Sequence, residues 1–251
     1  MKNIIKSNER LDDLQIPMPN GKSLSVIQNP KGFCFGVDAV LLANFAQIRK
    51  NFRVVDFGTG SGVIPLLIAA KTNALHITGI EIQEEVADMA CRSVIWNELK
   101  DKIDIVNEDL KTFGSDLSST FDAVLCNPPY KESGGGIVNP NDTMAIARHE
   151  IHCTLFDVIS SASRLLRVGG KLNLIHRPER LVDIICMMRE HKLEAKRIRF
   201  IHPKPHKTAT MVLVEATKGG KPKLFLEPPL YVYNENGEYS DEINKIYDRE
   251  I

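Results

Sequence analysis

Asn127-Pro128-Pro129-Tyr130 is the tetrapeptide whose residue types speak most directly of chemistry. An Asn side-chain oxygen and a neighbouring backbone carbonyl, that of Pro128, can each accept one N–H bond from an amino group conjugated to an aromatic ring or a carbonyl. Such a nitrogen is a poor nucleophile because its lone pair is delocalised. Held by two acceptors it turns pyramidal, with the lone pair aimed at an incoming group. Proline fixes the backbone and removes competing donors, while Tyr130 offers a face for stacking a planar substrate. The plainer alternative is a Pro-Pro strand terminator followed by a packed tyrosine.

A second constellation runs Asp56-Phe57-Gly58-Thr59-Gly60-Ser61-Gly62, between a strand-like apolar run and a helix-like one. Glycines there permit positive φ and close backbone approach to a ligand at the carboxyl edge of a sheet. A charged Asp directly before them suits a cationic ligand better than a pyrophosphate, and S-adenosyl-L-methionine carries an ammonium and a sulfonium. Glu81 lies 25 residues after Asp56, where an acid can accept from both ribose hydroxyls. Asp109 ends the next strand, where a carboxylate can accept from the adenine amine. Each acid alone reads as a solvated strand end, and the glycines alone as a tight turn. Three acids at three successive strand ends read as a cofactor site. Because a sulfonium is already a good leaving group, no strong base is required. The expected reaction is methyl transfer to a planar nitrogen, with S-adenosyl-L-homocysteine as product.

Such residues meet only if the elements between them form a parallel sheet. From Arg53 onward, short apolar runs alternate with helix-length segments, which predicts parallel strands joined by crossover helices. Strands are expected at 53–58, 76–82, 103–109, 121–128, 171–177, 197–203 and 211–217, and helices at 62–71, 84–98, 151–167 and 179–192. The last two strands are joined by a short segment with Pro203 and Pro205, too short for a parallel crossover, so they should pair antiparallel. The expected class is α/β, with five parallel strands plus an antiparallel final pair and helices on both faces. Residues 1–50 read as a lead with an extended segment at 21–28, a Gly-Phe-rich stretch at 32–36 and a helix N-capped by Asp38. Residues 51–220 form the catalytic domain, and 221–251 a tail with a hairpin signal at Asn236-Gly237.

The bulk numbers bound the class. The chain has 251 residues, 43% of them hydrophobic and 25% charged, the composition of a globular protein with one large core. Lys and Arg total 32 and balance 32 Asp and Glu, yet the charges segregate. Residues 163–223 hold 15 basic against 5 acidic residues, an excess of +10, whereas 227–251 hold 7 acidic against 2 basic. A basic face on a neutral protein follows. Five cysteines, Cys34, Cys91, Cys126, Cys153 and Cys186, show no C-x-x-C pair and read as reduced thiols. The polar N-terminus and the lack of a run of about 18 apolar residues predict a cytoplasmic protein without membrane contact. A monomer or weak homodimer is expected.

Together these residues resemble the seven-stranded Rossmann-like methyltransferases with an Asn-Pro-Pro-Tyr motif, over about residues 30 to 220. Within that group GFCFGVDAVLLANF (32–45), ARHE (147–150), HRPERL (176–181) and IHPKPHKTATMVLVE (201–215) resemble the bacterial tRNA adenine-N6 methyltransferases. That family modifies the adenosine 3′ of the anticodon of a valine tRNA. The resemblance implies that Asp56, Gly58, Gly60, Glu81, Asp109 and Asn127 surround the cofactor, with Thr59, Ile82 and Leu110 beside them. It implies that Asn127, Pro128, Pro129 and Tyr130 hold the target base, and that residues 33–38 cover the cofactor's methionine end. The tail matches no family feature.

Candidate RNA contacts are Lys196, Arg197, Arg199, Lys204, His206 and Lys207, near the final strand pair, with Arg148 following the catalytic motif. A solvated basic rim would look the same. His149-x-x-His152 and His202-x-x-x-His206 lack Cys or carboxylate partners in a ligand pattern, so no metal is expected. Competing activities are protein-glutamine N5 methylation, against which stand the mere 50 or so residues before the first Rossmann strand, and ribosomal RNA guanine-N2 methylation. A DNA adenine methyltransferase would need a target-recognition region for which the chain lacks room. A non-catalytic binding module would not need the intact Asn127–Tyr130 motif.

Overall fold

A computed structural model describes residues 4–18, 21–32, 34–128 and 153–248. Among them run strands β1 (Arg10–Pro17) and β2 (Ser23–Gln28), helix α1 (Val37–Phe45), β3 (Arg53–Phe57), α2 (Val63–Lys71), β4 (His76–Glu81), α3 (Glu84–Trp96), β5 (Ile103–Asn107) and β6 (Phe121–Cys126). Then follow α4 (Leu155–Leu165), β7 (Leu166–His176), α5 (Leu181–Glu190), β8 (Leu193–His202), β9 (Met211–Lys218), β10 (Phe225–Leu226), β11 (Leu230–Tyr231) and α6 (Asp241–Ile246).

The main sheet has the order β10-β8-β9-β7-β6-β3-β4-β5, with β11 also on β8. Strands β7, β6, β3, β4 and β5 pair in parallel. The final pair is antiparallel as expected, and β9 is the reversed member, lying between β7 and β8 and antiparallel to both. Strand β8 therefore runs with the parallel set, and its carboxyl end reaches the same sheet edge.

Alternation along the strands fills both faces. Val54, Ile77, Leu125 and Ile175 pack with residues of α1, α2 and α6 on one side, while Val55, Ile80, Val124 and Leu174 pack with α4 and α5 on the other. Local signals set several boundaries. Helix α4 starts at Leu155 because Thr154 and Asp157 form a reciprocal capping box, whereas its expected first residues 151–152 lie outside the described residues. The β7 strand begins at Leu166, directly after this helix and five residues ahead of the expected start. A short 3-10 turn at Pro178–Arg180, initiated by the proline, precedes α5.

The N-terminal lead forms an antiparallel ribbon, because the expected extended segment, now β2, finds β1 as a partner that no pattern announced. Polar side chains of α3 stand in for a further strand on β2. Ser25 N donates to Asn97 Oδ1 at 3.0 Å, Asn97 Nδ2 returns a bond to Ser25 O at 2.6 Å, and Ile27 N donates to Ser93 Oγ at 2.9 Å. Arg92 of α3 also grips Glu9 at 2.6 Å.

The tail joins the same sheet. Strands β10 and β11 pair in parallel with the outer edge of β8, which shields backbone groups that would otherwise remain unpaired. Helix α6, capped by the Ser240 hydroxyl, sends Ile243 and Ile246 into the core. The opposite charges of tail and basic segment meet here: Arg197 pairs with Glu227 at 2.7 Å and with buried Glu215 at 2.7 Å, and Arg199 pairs with Glu242 at 2.7 Å. Lys171 reaches Glu215 from the other side at 2.9 Å. The Arg197 guanidinium also lies over the Phe45 ring, 4.2 Å from its centroid.

Without Arg197, Glu215 keeps Lys171 as a partner while Glu227 loses its own, a cost of about 1.5–3 kcal/mol on the scale of hydrogen bonds to charged groups. Arg197→Ala is therefore expected to lower the melting temperature by roughly 3–12 °C in thermal denaturation. An unchanged melting temperature with weakened RNA binding would instead make Arg197 an RNA contact.

Candidate active site

The site lies where the sheet changes its direction of growth. From β3 the chain builds outward through β4 to β5, then returns to place β6 on the other flank of β3. The helices that follow β3 and β6, α2 and α4, pack on opposite faces of the sheet, which leaves a crevice at the carboxyl edge, the position where open α/β sheets bind ligands. In spatial order the strand ends bring Asn127 after β6, Asp56 on β3, Glu81 on β4 and Asp109 just past β5. Three inter-strand spacings separate the outer two, about 14 Å. That row can span an adenosine joined to an amino-acid tail.

At its centre the turn after β3 leaves open space against its backbone. Gly58 and Gly60 have φ values of 65° and 57°, and a Cβ at either would meet nothing within 4 Å. Positive φ makes glycine the unstrained choice, and the open space admits another molecule against the backbone. Thr59 N donates to Ile80 O at 2.9 Å, and Gly60 N to Glu81 Oε2 at 3.0 Å, which ties the turn to β4. The other Glu81 oxygen accepts from Gln83 N at 3.0 Å. Asn107 braces the same junction, its Nδ2 donating to the carbonyls of Glu81 and Ile82 at 2.8 and 3.0 Å.

Asp56 is buried, and neither of its carboxyl oxygens nor the Thr59 hydroxyl has a hydrogen-bond partner. Burial pushes its pKa up to about 8; nearby Thr59 opposes the rise without reaching hydrogen-bond geometry, and the Glu81 charge adds to it. An orphaned carboxyl behind a vacant-sided glycine turn fits a ligand bearing positive charge, as S-adenosyl-L-methionine does. Asp109 accepts from Lys111 N at 2.9 Å and pairs with its ammonium at 3.2 Å. Ile82 exposes an apolar side chain at this edge, whereas Leu110 is buried against the α4 side of the core.

Asn127 is oriented from the N-terminal lead. Its Nδ2 donates to Asp38 Oδ2 at 3.1 Å, across 89 residues of sequence. The expected N-cap role of Asp38 falls instead to Gly36: the helix begins at Val37, and Asp38 sits inside its first turn. Pro128 follows Asn127 at the end of β6, while Phe33, Pro129, Tyr130, Arg148, His149 and His152 lie outside the described residues. His176 ends β7 next to this edge with its Nδ1 accepting from Arg177 N at 2.8 Å. Burial first, and the Arg180 charge second, push its pKa down to about 4, so the ring is neutral near pH 7.

The candidate RNA contacts divide. Lys204, His206 and Lys207 follow the carboxyl end of β8 and so lie on the same sheet edge as the crevice, three strands beyond β6. Lys196 lies toward the opposite end of that strand, where its ammonium bonds Lys221 O. Arg197 and Arg199 are spent in the tail ion pairs. Among the described residues no group of three or more His, Cys, Asp or Glu is placed to hold a metal, and no helix is long and apolar enough to cross a membrane.

The methyltransferase small domain family matches residues 35–191, more than half of the chain and every strand end of the crevice. The chain belongs to that family. It is thus an S-adenosylmethionine-dependent methyltransferase. This methyltransferase is 27% identical over 213 residues to a protein of Parabacteroides distasonis named tRNA1(Val) (adenine(37)-N6)-methyltransferase, covering 84% of this chain and 87% of the other. A protein of the same name from Aeromonas hydrophila is 25% identical, with 82% and 85% covered. A crystal structure from Agrobacterium tumefaciens, described as that of a predicted O-methyltransferase, superposes with a TM-score of 0.68 at 25% identity, covering 84% of this chain and 95% of that one.

A folded-state pKa above the unfolded value of 3.8 means that stability is lost as pH rises toward 8. Asp56→Asn is expected to gain thermal stability over the wild type progressively from pH 4 to pH 8, then level off, in differential scanning fluorimetry. Calorimetry near pH 7 in buffers of different ionisation heat should detect release of up to about one proton per S-adenosyl-L-methionine bound by the wild type, and none by the variant.

Proposed function

We propose that this methyltransferase modifies the exocyclic N6 of an adenine in RNA, in a tRNA next to the anticodon. The observation that carries the reading is Asn127 at the carboxyl end of β6, directly beside the glycine turn, with its amide nitrogen engaged by Asp38. The amide oxygen is then the end that accepts from a substrate amino group. When bound, S-adenosyl-L-methionine supplies an electrophilic methyl on a sulfonium.

The chain's own residues do the rest. Asn127 Oδ1 and the Pro128 carbonyl accept the two N–H bonds of the adenine amine and free its lone pair from the ring. Pro129 and Tyr130 complete the base-holding motif, with Tyr130 as the stacking face. Glu81 and Asp109 take the ribose and adenine of the cofactor, Gly58, Thr59 and Gly60 line its methionine end near Asp56, and Ile82 and Leu110 flank the adenine. After transfer the nitrogen sheds one proton to restore the neutral amine. An adenine in a duplex cannot reach such a motif, so the target must be looped out or flipped, as in an anticodon loop. Lys204, His206 and Lys207, on the same sheet edge as the crevice, are assigned to RNA phosphates, with Arg148 beyond the motif. Relatives named for tRNA adenine-N6 methylation, matched over most of their length, support the same substrate.

The test offers labelled S-adenosyl-L-methionine with unmodified tRNA, ribosomal RNA or a protein extract. Label is expected in tRNA as N6-methyladenosine, with a rate lower by about 100-fold or more for Asn127→Ala. Label recovered as N2-methylguanosine in ribosomal RNA, or as methylglutamine in protein, would replace this reading with the corresponding one.

A further inference from the structure

We infer that Asp38 is a positioning residue for methyl transfer, acting through Asn127 to decide which end of that amide faces the substrate; the inference rests on the adenine-amine reading above. An Asn side chain has a donor end and an acceptor end of nearly equal shape, and only its hydrogen-bond partners choose between the two orientations. A carboxylate has no donor. Asp38 Oδ2, 3.1 Å from Asn127 Nδ2, therefore admits only the amino end of the amide, which commits Oδ1 as the end that accepts. With the amide turned over, its NH2 would oppose the N–H groups of the target amine, and the lone pair of the nucleophile would stay in the ring.

The fold makes Asp38 a stiff device. It sits in the first turn of α1, whose residues Ala39 to Ala43 and Phe45 are buried against the sheet. Its second oxygen accepts from Ala39 N at 3.0 Å, which holds the carboxylate across the helix start. Gly36 leaves room for it: a Cβ there would stand 2.7 Å from Asp38 Oδ1. Backbone packing, the N-cap residue and the carboxylate thus converge on one side-chain direction, toward the end of β6. A charged acceptor also bonds more strongly than a neutral one, which suits a contact at a partly exposed crevice.

The test is a double-mutant cycle on Asp38→Ala and Asn127→Ala, with labelled S-adenosyl-L-methionine and unmodified tRNA, read as kcat and KM for tRNA. Melting temperature and the calorimetric Kd for S-adenosyl-L-methionine are recorded alongside. Asp38→Ala is expected to lower kcat by about 10–100-fold, the scale of a misplaced catalytic contact. Its KM for tRNA and melting temperature should stay near wild type, and kcat is read at saturating S-adenosyl-L-methionine because residues 33–38 are expected to cover the cofactor's methionine end. In the Asn127→Ala background the same change should cost nothing further, because its route of action is gone. Asp38→Asn, whose amide can turn either a donor or an acceptor toward Asn127, should fall between the wild type and the alanine variant. Losses that multiply in the double variant, an Asp38→Asn with wild-type kcat, or an unchanged kcat for Asp38→Ala would each overturn the role. A fully active Asn127→Ala, or no transfer to any RNA, strikes the underlying reading instead, so the two failures are told apart.

Discussion

The parallel pairing of β3 with β4 on one flank and β6 on the other is the contact on which the rest of this structure depends. It places the start of sheet growth in the middle of the sheet, so the helices α2 and α4 that follow β3 and β6 lie on opposite faces with a crevice at the carboxyl edge between them. The crevice holds its polar groups at a cost. Asp56 is buried beside Val54 and Val55 with no hydrogen-bond partner, and its raised pKa records the desolvation. A folding requirement alone would have selected an apolar residue there. A buried acid left without protein partners costs stability, and it is the group at this edge that a cationic ligand would satisfy.

Around that edge the two termini act as braces. The lead carries α1 and with it Asp38, whose bond to Asn127 joins the first helix to the fourth strand of the parallel set. The tail does the opposite job at the far side of the sheet, where β10, β11 and α6 cover β8 and neutralise the arginines projecting from it. A chain with zero formal charge but segregated blocks thus spends part of its basic excess internally. The basic groups on the same sheet edge as the crevice are those of the turn after β8, outside the strand itself.

The electrostatics of the site separate by environment and not by residue type. Glu81 and Asp56 occupy neighbouring strands, yet Glu81 accepts two backbone N–H groups while Asp56 accepts none. The first is solvated by the peptide chain as the second would be by a ligand. His176, neutral and buried at the end of β7, contributes no charge at this edge near pH 7. The result is a crevice with carboxylates toward β4 and β5 and a polar amide toward β6.

Much of this was legible in the sequence. Short apolar runs alternating with helix-length segments, and the turn glycines, located β3 to β9 and put Asp56, Glu81 and Asp109 at or just past consecutive strand ends, because apolar runs and turn chemistry are local properties of the chain. The Asn127-Pro128 motif was legible for the same reason: its residues are adjacent, and their chemistry is carried by their types. Pairing partners were not. No local pattern says that β9 inserts between β7 and β8, that β1 exists to partner β2, or that Glu227 and Glu242 will claim Arg197 and Arg199. Asp38 reads as a helix cap for as long as Asn127, 89 residues away, is out of view. Hydrogen bonds and ion pairs between distant segments arise only once the core has packed and fixed their distances, so they belong to the tertiary structure alone.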